Sequence, residues 1–314
     1  MPKPIAVVAL GGNAILAANE DGSFETQLKN VKAACRQMLA ILHKRYELVI
    51  VHGNGPQVGN LLLQFEKARD QIPVPPLDVA VASSQGLLGH MIEIGMRSVL
   101  EEDRLHKEVA TIMTQVVVDE KDPAYQNPTK PIGPFFTQEE AERFRDKEGW
   151  AIVEDSGRGY RRTVCSPQPK KVLALNVIRQ LAESGVIVVA CGGGGIPVNY
   201  HTGEVMGTEG VIDKDFAASL LAYNLGAELF VVLTGVPKVA LDFGKPTQRS
   251  IDLMTATEAK QWLADGQFPP GSMGPKIEAS IEYLTHGGKE VIITTEKGIV
   301  DAMENGNCTR IVSC

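Results

Sequence analysis

The stretch that decides the fold is Ile5-Ala6-Val7-Val8-Ala9-Leu10-Gly11-Gly12-Asn13. An apolar, partly β-branched run too short for a helix ends abruptly in two glycines, which predicts a buried strand and a tight turn. The pattern recurs. Leu48–His52 runs into Gly53-Asn54-Gly55-Pro56, and Val186–Cys191 into Gly192-Gly193-Gly194-Gly195. Val109–Val118, Leu229–Leu233 and Glu290–Thr294 read as further buried strands. Helical patterns separate them at Gln27–Arg45, Gln57–Arg69, Asp78–Glu102, Lys171–Ser184, Lys214–Leu225, Thr255–Asp265 and Pro275–His286. This alternation predicts an α/β fold, a three-layer αβα sandwich around a largely parallel open sheet. Ligands of such sheets lie at the carboxyl ends of the strands.

One stretch breaks the rhythm. Residues 119–169 are rich in proline and charge, yet carry Phe135, Phe136, Trp150 and Tyr160. With a helical patch at Thr137–Lys147 and short strands near Ala151–Glu154 and Tyr160–Val164, they read as a small inserted subdomain protruding from the single 314-residue domain.

Composition narrows the function. Lysine plus arginine number 31 against 38 aspartates plus glutamates, a net charge of −7. Such a chain is a poor candidate for sequence-independent nucleic-acid binding or a polybasic membrane anchor. No apolar run reaches the ~18 residues of a membrane span. Lys3 and the run from Ile5 to Ala18 outline a signal peptide, but Gly11, Gly12 and Asn13 interrupt it. Five scattered cysteines without a CxxC pair fit a reducing cytoplasm. Glycine, at 31 residues, is the excess to explain.

Three glycine turns after three strands bring backbone N–H groups to one edge, where they can face an anion. The bland alternative is three tight strand-to-helix turns. Known phosphate and nucleotide fingerprints are absent. There is no GxxxxGK[ST] loop. Gly53–Gly59 is one residue too long for GxGxxG, and Asp242-Phe243-Gly244 lacks the other protein-kinase motifs. The six histidines show no metal-ligand spacing, so no resident metal ligands are expected.

Two lysines stand where helix electrostatics disfavours them. Asp213-Lys214-Asp215 opens one predicted helix, and Ser272-Met273-Gly274-Pro275-Lys276 another. A cation in a first turn opposes the macrodipole by roughly 0.3–1 kcal/mol. A bound anion would reverse that penalty, while exposed first-turn lysines are also common. Lys130, between Pro128 and Pro131, is a third candidate, or else a solvated loop lysine.

Taken together, these segments resemble the carbamate kinase branch of the amino-acid kinase family along nearly the whole chain. The carrying motifs are Ala9–Ala14, His52–Gly59, Asn127–Gly133, Glu154–Arg162, Gly192–Pro197, Val211–Asp215 and Pro270–Lys276. Many relatives that phosphorylate amino acids have lysine where this chain has Ala9. The resemblance implies that Lys214 supplies that charge here.

The resemblance further implies reversible phosphoryl transfer between ATP and carbamate with Mg2+, giving ADP and carbamoyl phosphate. Run towards ATP, it would serve the breakdown of arginine or ureido compounds. Lys214, Lys276, Asp215 and Lys130 are the implied catalytic set. Gly11, Gly12, Asn13, Gly53, Asn54, Gly55, Gly193 and Gly194 would bind carbamate and the phosphoryl group. Thr234, Gly235, Val236, Lys238, Phe243, Met273 and Gly274 would hold the nucleotide. A cytoplasmic homodimer is expected, with the apolar helix Asp78–Glu102 contributing or simply filling the core. Two other readings stay open: a kinase for another small carboxylate or carbamate-like acid, and a non-catalytic nucleotide- or anion-binding protein on the same fold.

Overall fold

The computed structural model describes residues 3–16, 20–154 and 159–313. Its centre is an eight-stranded sheet. In spatial order the strands are Leu253–Thr255, Thr309–Val312, Glu290–Thr294, Leu229–Leu233, Ile5–Leu10, Glu47–His52, Ile187–Val189 and Val109–Thr111. All neighbours pair in parallel except Glu290–Thr294 with Thr309–Val312. Ile5–Leu10 lies in the interior of the sheet and is buried along its whole length, as its unbroken apolar run requires.

Alternate residues of that strand feed two cores. Ile5, Val7 and Ala9 join the core under the helices Leu175–Glu183, Lys214–Leu225 and Met273–Thr285. Ala6, Val8 and Leu10 join the opposite core under Phe24–His43 and Leu77–Glu102. These are the three layers. The long helix Leu77–Glu102 buries thirteen residues, including Leu88, Met91, Ile92 and Met96. It is mainly a core helix, although Val79 and Leu87 remain exposed.

Two strand readings need correction. Val109–Val118 is not one strand: Val109–Thr111 ends the main sheet, and Gln115–Val118 enters a separate four-stranded sheet. Between them the buried Gln85 side chain accepts from the Thr114 N–H and donates to the carbonyls of Thr114 and Gly192. The polar pair Thr114-Gln115 marks where the run breaks, but not that its two parts pair in different sheets. Likewise Pro169–Val172 is a strand of the second sheet, so the following helix starts only at Leu175. The hairpin Ile196–His201/Glu204–Gly207 and the helix Ile299–Asn305 had no sequence counterpart.

Within the 119–169 stretch, Lys130–Phe136, Tyr160–Val164 and Ile152–Glu154 form their own three-stranded antiparallel sheet. The helix Gln138–Glu148 lies against it, started by a capping box between Thr137 and Glu140 and ended by Gly149 in the left-handed region. Phe136, Phe144 and Trp150 pack ring on ring beneath it. The motif residues 155–158 lie outside the described residues.

Candidate active site

The first two glycine turns stand side by side at the carboxyl edge of the sheet, where the Gly53 N–H donates to the Leu10 carbonyl. Lys214 comes over them from the facing helix. A Cβ added to Gly53 would lie 3.2 Å from Lys214 Cδ, and one on Gly11 4.0 Å from Lys214 Cε. The lysine stem therefore rests on glycine backbone that no side chain shields. Ala9 is fully buried in the core that this helix covers, so the charge enters from the helix rather than from the strand.

The lysines do not stand alone. Asp215, only 2% exposed, accepts from Lys214 Nζ at 2.6 Å through Oδ1 and from Lys276 Nζ at 2.9 Å through Oδ2. One carboxylate thus fixes two ammonium groups from two helices. Asp213 caps the Lys214 helix by accepting the Asp215 N–H, and its other oxygen accepts from Lys130 Nζ at 2.8 Å. Burial would raise the Asp213 carboxyl, but Lys130 and Lys214 outweigh it and hold it well below the carboxylate range. Burial lowers the Lys214 ammonium from its ordinary value, against the pull of Asp215. Burial acts the same way on Lys276, where Asp215 prevails and raises it.

Lys130 reaches Asp213 because the protruding sheet docks unusually closely. The helix Gly55–Lys67 meets the strand Lys130–Phe136 at Gly59 and Gly133, and a Cβ on Gly59 would sit 1.9 Å from Gly133 Cα. Only glycine at position 59 permits that approach. Gly133 itself has φ +75°.

Two cavities open beside the lysines. The smaller, about 160 Å³, is lined by Gly11, Gly12, Ala14, Lys214, Leu233, Thr234, Gly235, Lys276 and Glu296. The larger, about 530 Å³, shares Thr234, Gly235 and Lys276 with it. It continues past Val236, Lys238, Phe243 and Met273, and Gln267 and Phe268 also line it. A small, cation-lined chamber leading into a roomier, more apolar one has the layout of a phosphate site beside a nucleoside site.

Most of the expected nucleotide residues therefore line one cavity. Gly274 is the exception: it packs against the Pro269 carbonyl, 3.1 Å from where its Cβ would be, and lines neither cavity. Lys238 is tied to Asp252 at 2.6 Å. Phe243 is 60% exposed, a large apolar face turned to solvent at the cavity wall. The sequence did not single out Gln267, Phe268 or Glu296, because no local motif marks them. Arg161, from the protruding sheet, also lines the larger cavity and donates to the Gly133 carbonyl.

The third glycine turn packs behind the second, and like Gly53, Asn54 and Gly55 it lies outside the lining of both cavities. Gly192, Gly193 and Gly194 are buried and line neither cavity. A Cβ on Gly193 would lie 2.2 Å from Asn54 Nδ2, and one on Gly194 2.3 Å from the Ile212 carbonyl oxygen. These glycines make room for Asn54, whose amide donates to Ser84 Oγ at 2.8 Å. Gly55 opens the helix behind Asn54. Asn13 follows Gly12 in a short 3-10 turn, and its side chain lies outside the described residues. His52, fully buried, is pushed by desolvation down to about 4. Its neutral ring holds Nδ1 3.0 Å from the Gly53 carbonyl oxygen, which stiffens the second turn.

Residues 4–295 match the amino acid kinase family. The chain belongs to that family. The carbamate kinase of Pyrococcus furiosus is 44% identical over 308 residues, 98% of each chain. A carbamate kinase-like protein of Escherichia coli is 42% identical over 314 residues, 99% of each chain. Among solved structures, the Giardia lamblia carbamate kinase bound to AMP-PNP superposes with a TM-score of 0.90. It is 40% identical, with 99% of each chain covered. The amino acid kinase fold thus accounts for the parallel sheet and its two helical layers.

Proposed function

We propose that this chain is a carbamate kinase, transferring phosphoryl between ATP and carbamate. The observation that carries the reading is Asp215 clamping Lys214 and Lys276 at the glycine-lined chamber, where it opens into the larger cavity. Full-length similarity to proteins named carbamate kinase supports it.

The chemistry fits these groups. A carbamate oxygen attacks the terminal phosphorus of ATP; the new O–P bond forms as the bond to the bridging oxygen of ADP breaks. Carbamate is already an anion, so no base has to remove a proton. The obstacle is bringing anion to anion, with charge spread over the transferring group. Lys214 and Lys276 flank that group, and N–H groups of the Gly11-Gly12 and Gly53-Asn54 turns face its oxygens. Asp215 keeps both ammoniums oriented. Lys130, tied to Asp213, holds the protruding sheet over the acid-substrate side, where Asn54 and Gly55 lie. A charge contact at 4 Å is worth about 1 kcal/mol in water and about 4 at an effective dielectric of 20, so exclusion of water amplifies each lysine.

Mg2+ would neutralise phosphate charge on the bound nucleotide. Among the described residues no three His, Cys, Asp or Glu cluster as a cage, so the donor set suits an ion arriving on the phosphates. The stretch 119–169 acts as an inserted subdomain of one domain. The chain works in the cytoplasm as a homodimer; exposed Val79 and Leu87 on the long helix support a contribution from that face. No helix among the described residues is long and apolar enough to cross a membrane.

Purified protein given carbamoyl phosphate, ADP and Mg2+ should form ATP; no ATP under these conditions refutes the reading. The second reading is a kinase of another small carboxylate, and a substrate panel separates the two. Light scattering near the 33.9 kDa of a single chain would remove the dimer.

A further inference from the structure

The smaller cavity contains one residue of the wrong sign. Lys214, Lys276 and the Gly11-Gly12 backbone line it as an anion site should be lined, but so does the carboxylate Glu296. Glu296 follows the strand Glu290–Thr294 at the carboxyl edge of the sheet. Every other charged residue of that lining is a lysine bound to Asp215. Glu296 makes no hydrogen bond or ion pair with any described residue. Asp215 already carries two ammonium groups, one per oxygen, so its charge is balanced within the protein.

A free carboxylate beside a polyphosphate raises the cost of binding unless a cation comes between them. Mg2+ is such a cation: it keeps much of its hydration and is commonly held by one or two carboxylates plus substrate phosphates. Its bound waters donate hydrogen bonds to a nearby carboxylate, and outer contacts of this kind typically change metal affinity by roughly 10–100-fold.

We propose that Glu296 is the protein's contact to the nucleotide-borne magnesium ion, selecting the magnesium complex of ADP or ATP over the bare nucleotide. This rests on the kinase reading above. It gives the chamber two halves of opposite sign: lysines for the phosphoryl oxygens and one carboxylate for the hydrated cation. The lysines would attract any polyphosphate, and Glu296 discriminates against those without a metal.

The test is a binding measurement that needs no turnover. ADP binding is followed by isothermal titration calorimetry with saturating Mg2+ and again with EDTA, for the unaltered chain, Glu296→Gln and Glu296→Asp. The unaltered chain should bind ADP more tightly with Mg2+. In Glu296→Gln that gain should shrink by about tenfold, while metal-free ADP binds as well as before or up to about fivefold tighter, as repulsion is relieved. Glu296→Asp should recover part of the gain. An equal magnesium gain in the unaltered chain and Glu296→Gln, with ADP binding intact in both, would overturn the role of Glu296 alone. Absence of ADP binding by the unaltered chain would instead overturn the nucleotide reading, and this proposal with it.

Discussion

Replacing Gly59 by alanine tests how the protruding sheet is brought to the lysines. The added Cβ would lie 1.9 Å from Gly133 Cα and 2.3 Å from its nitrogen, where ordinary contact begins at 3.4 Å. Both partners are backbone, so no side chain can rotate away. The strand Lys130–Phe136 must retreat by about 1.5 Å for ordinary contact to return. Lys130 lies three residues from Gly133 on that strand and holds Asp213 at 2.8 Å, so the tie breaks. Overpacking of this kind typically costs ~1–3 kcal/mol of stability. Misplacing a positioning group by ~1 Å costs up to roughly 10²-fold in rate. The assay is ATP formation from carbamoyl phosphate and ADP, with kcat/KM measured for each substrate. We expect kcat/KM for carbamoyl phosphate to fall by roughly 10²-fold. ADP affinity should change by less than about fivefold, because only Arg161 of the protruding sheet lines the nucleotide cavity. Gly86→Ala is the control: its Cβ meets nothing within 4 Å on an exposed helix position, and alanine should stabilise by ~0.5–1 kcal/mol. Unchanged carbamoyl phosphate kinetics in Gly59→Ala, with unaltered thermal stability, would refute the docking argument.

Other perturbations follow from the same geometry. Asp215→Asn leaves two desolvated ammoniums without their shared carboxylate and should cost about 3–5 kcal/mol. At ~2.1 cal/mol/K per residue that is a drop in Tm of roughly 5–8 °C by calorimetry; millimolar phosphate should recover more of it than in the unaltered chain, and an unchanged Tm would contradict the clamp. Lys214→Ala and Lys276→Ala should each lower kcat by roughly 10²–10³-fold while calorimetric ADP affinity changes far less; the opposite split would remove them from the transferring phosphoryl. Lys214 must be charged to act and burial lowers its ammonium in the ligand-free chain from 10.5, so the alkaline limb of kcat/KM should fall below that pH. The folded chain binds fewer protons there than the unfolded one, so this lysine's contribution to stability rises with pH as activity falls; activity level up to pH 10.5 would exclude it. Gly193→Ala meets Asn54 Nδ2 at 2.2 Å and should weaken use of carbamoyl phosphate with ADP affinity intact, read from the KM of each substrate.

Much of this site is local information. An apolar run stopped by Gly11-Gly12 reads as a buried strand that turns with its backbone bare. A lysine just after a helix cap, as Lys214 follows Asp213, carries an electrostatic cost visible without any neighbour. The strand edges, most helices and the candidate lysines were legible for that reason. What was not legible depends on who sits opposite. Nothing local tells Gly193, backing Asn54, from Gly11, which lines the cavity. Nor does periodicity assign Val109–Thr111 and Gln115–Val118 to different sheets, since both are short and β-branched and their pairing partners lie elsewhere in the chain.

The sequence alone determined the alternation of strands and helices, the bare turns and the misplaced cations, because each follows from bonded geometry or a helix's own field. Tertiary structure alone brings Lys276, 61 residues away in the chain, to the carboxylate that also holds its neighbour Lys214, and makes Gly59 and Gly133 touch. It also left Glu296 facing a phosphate chamber with no protein partner among the described residues. Those are relations between surfaces, and a chain acquires them only when separate segments are packed against one sheet.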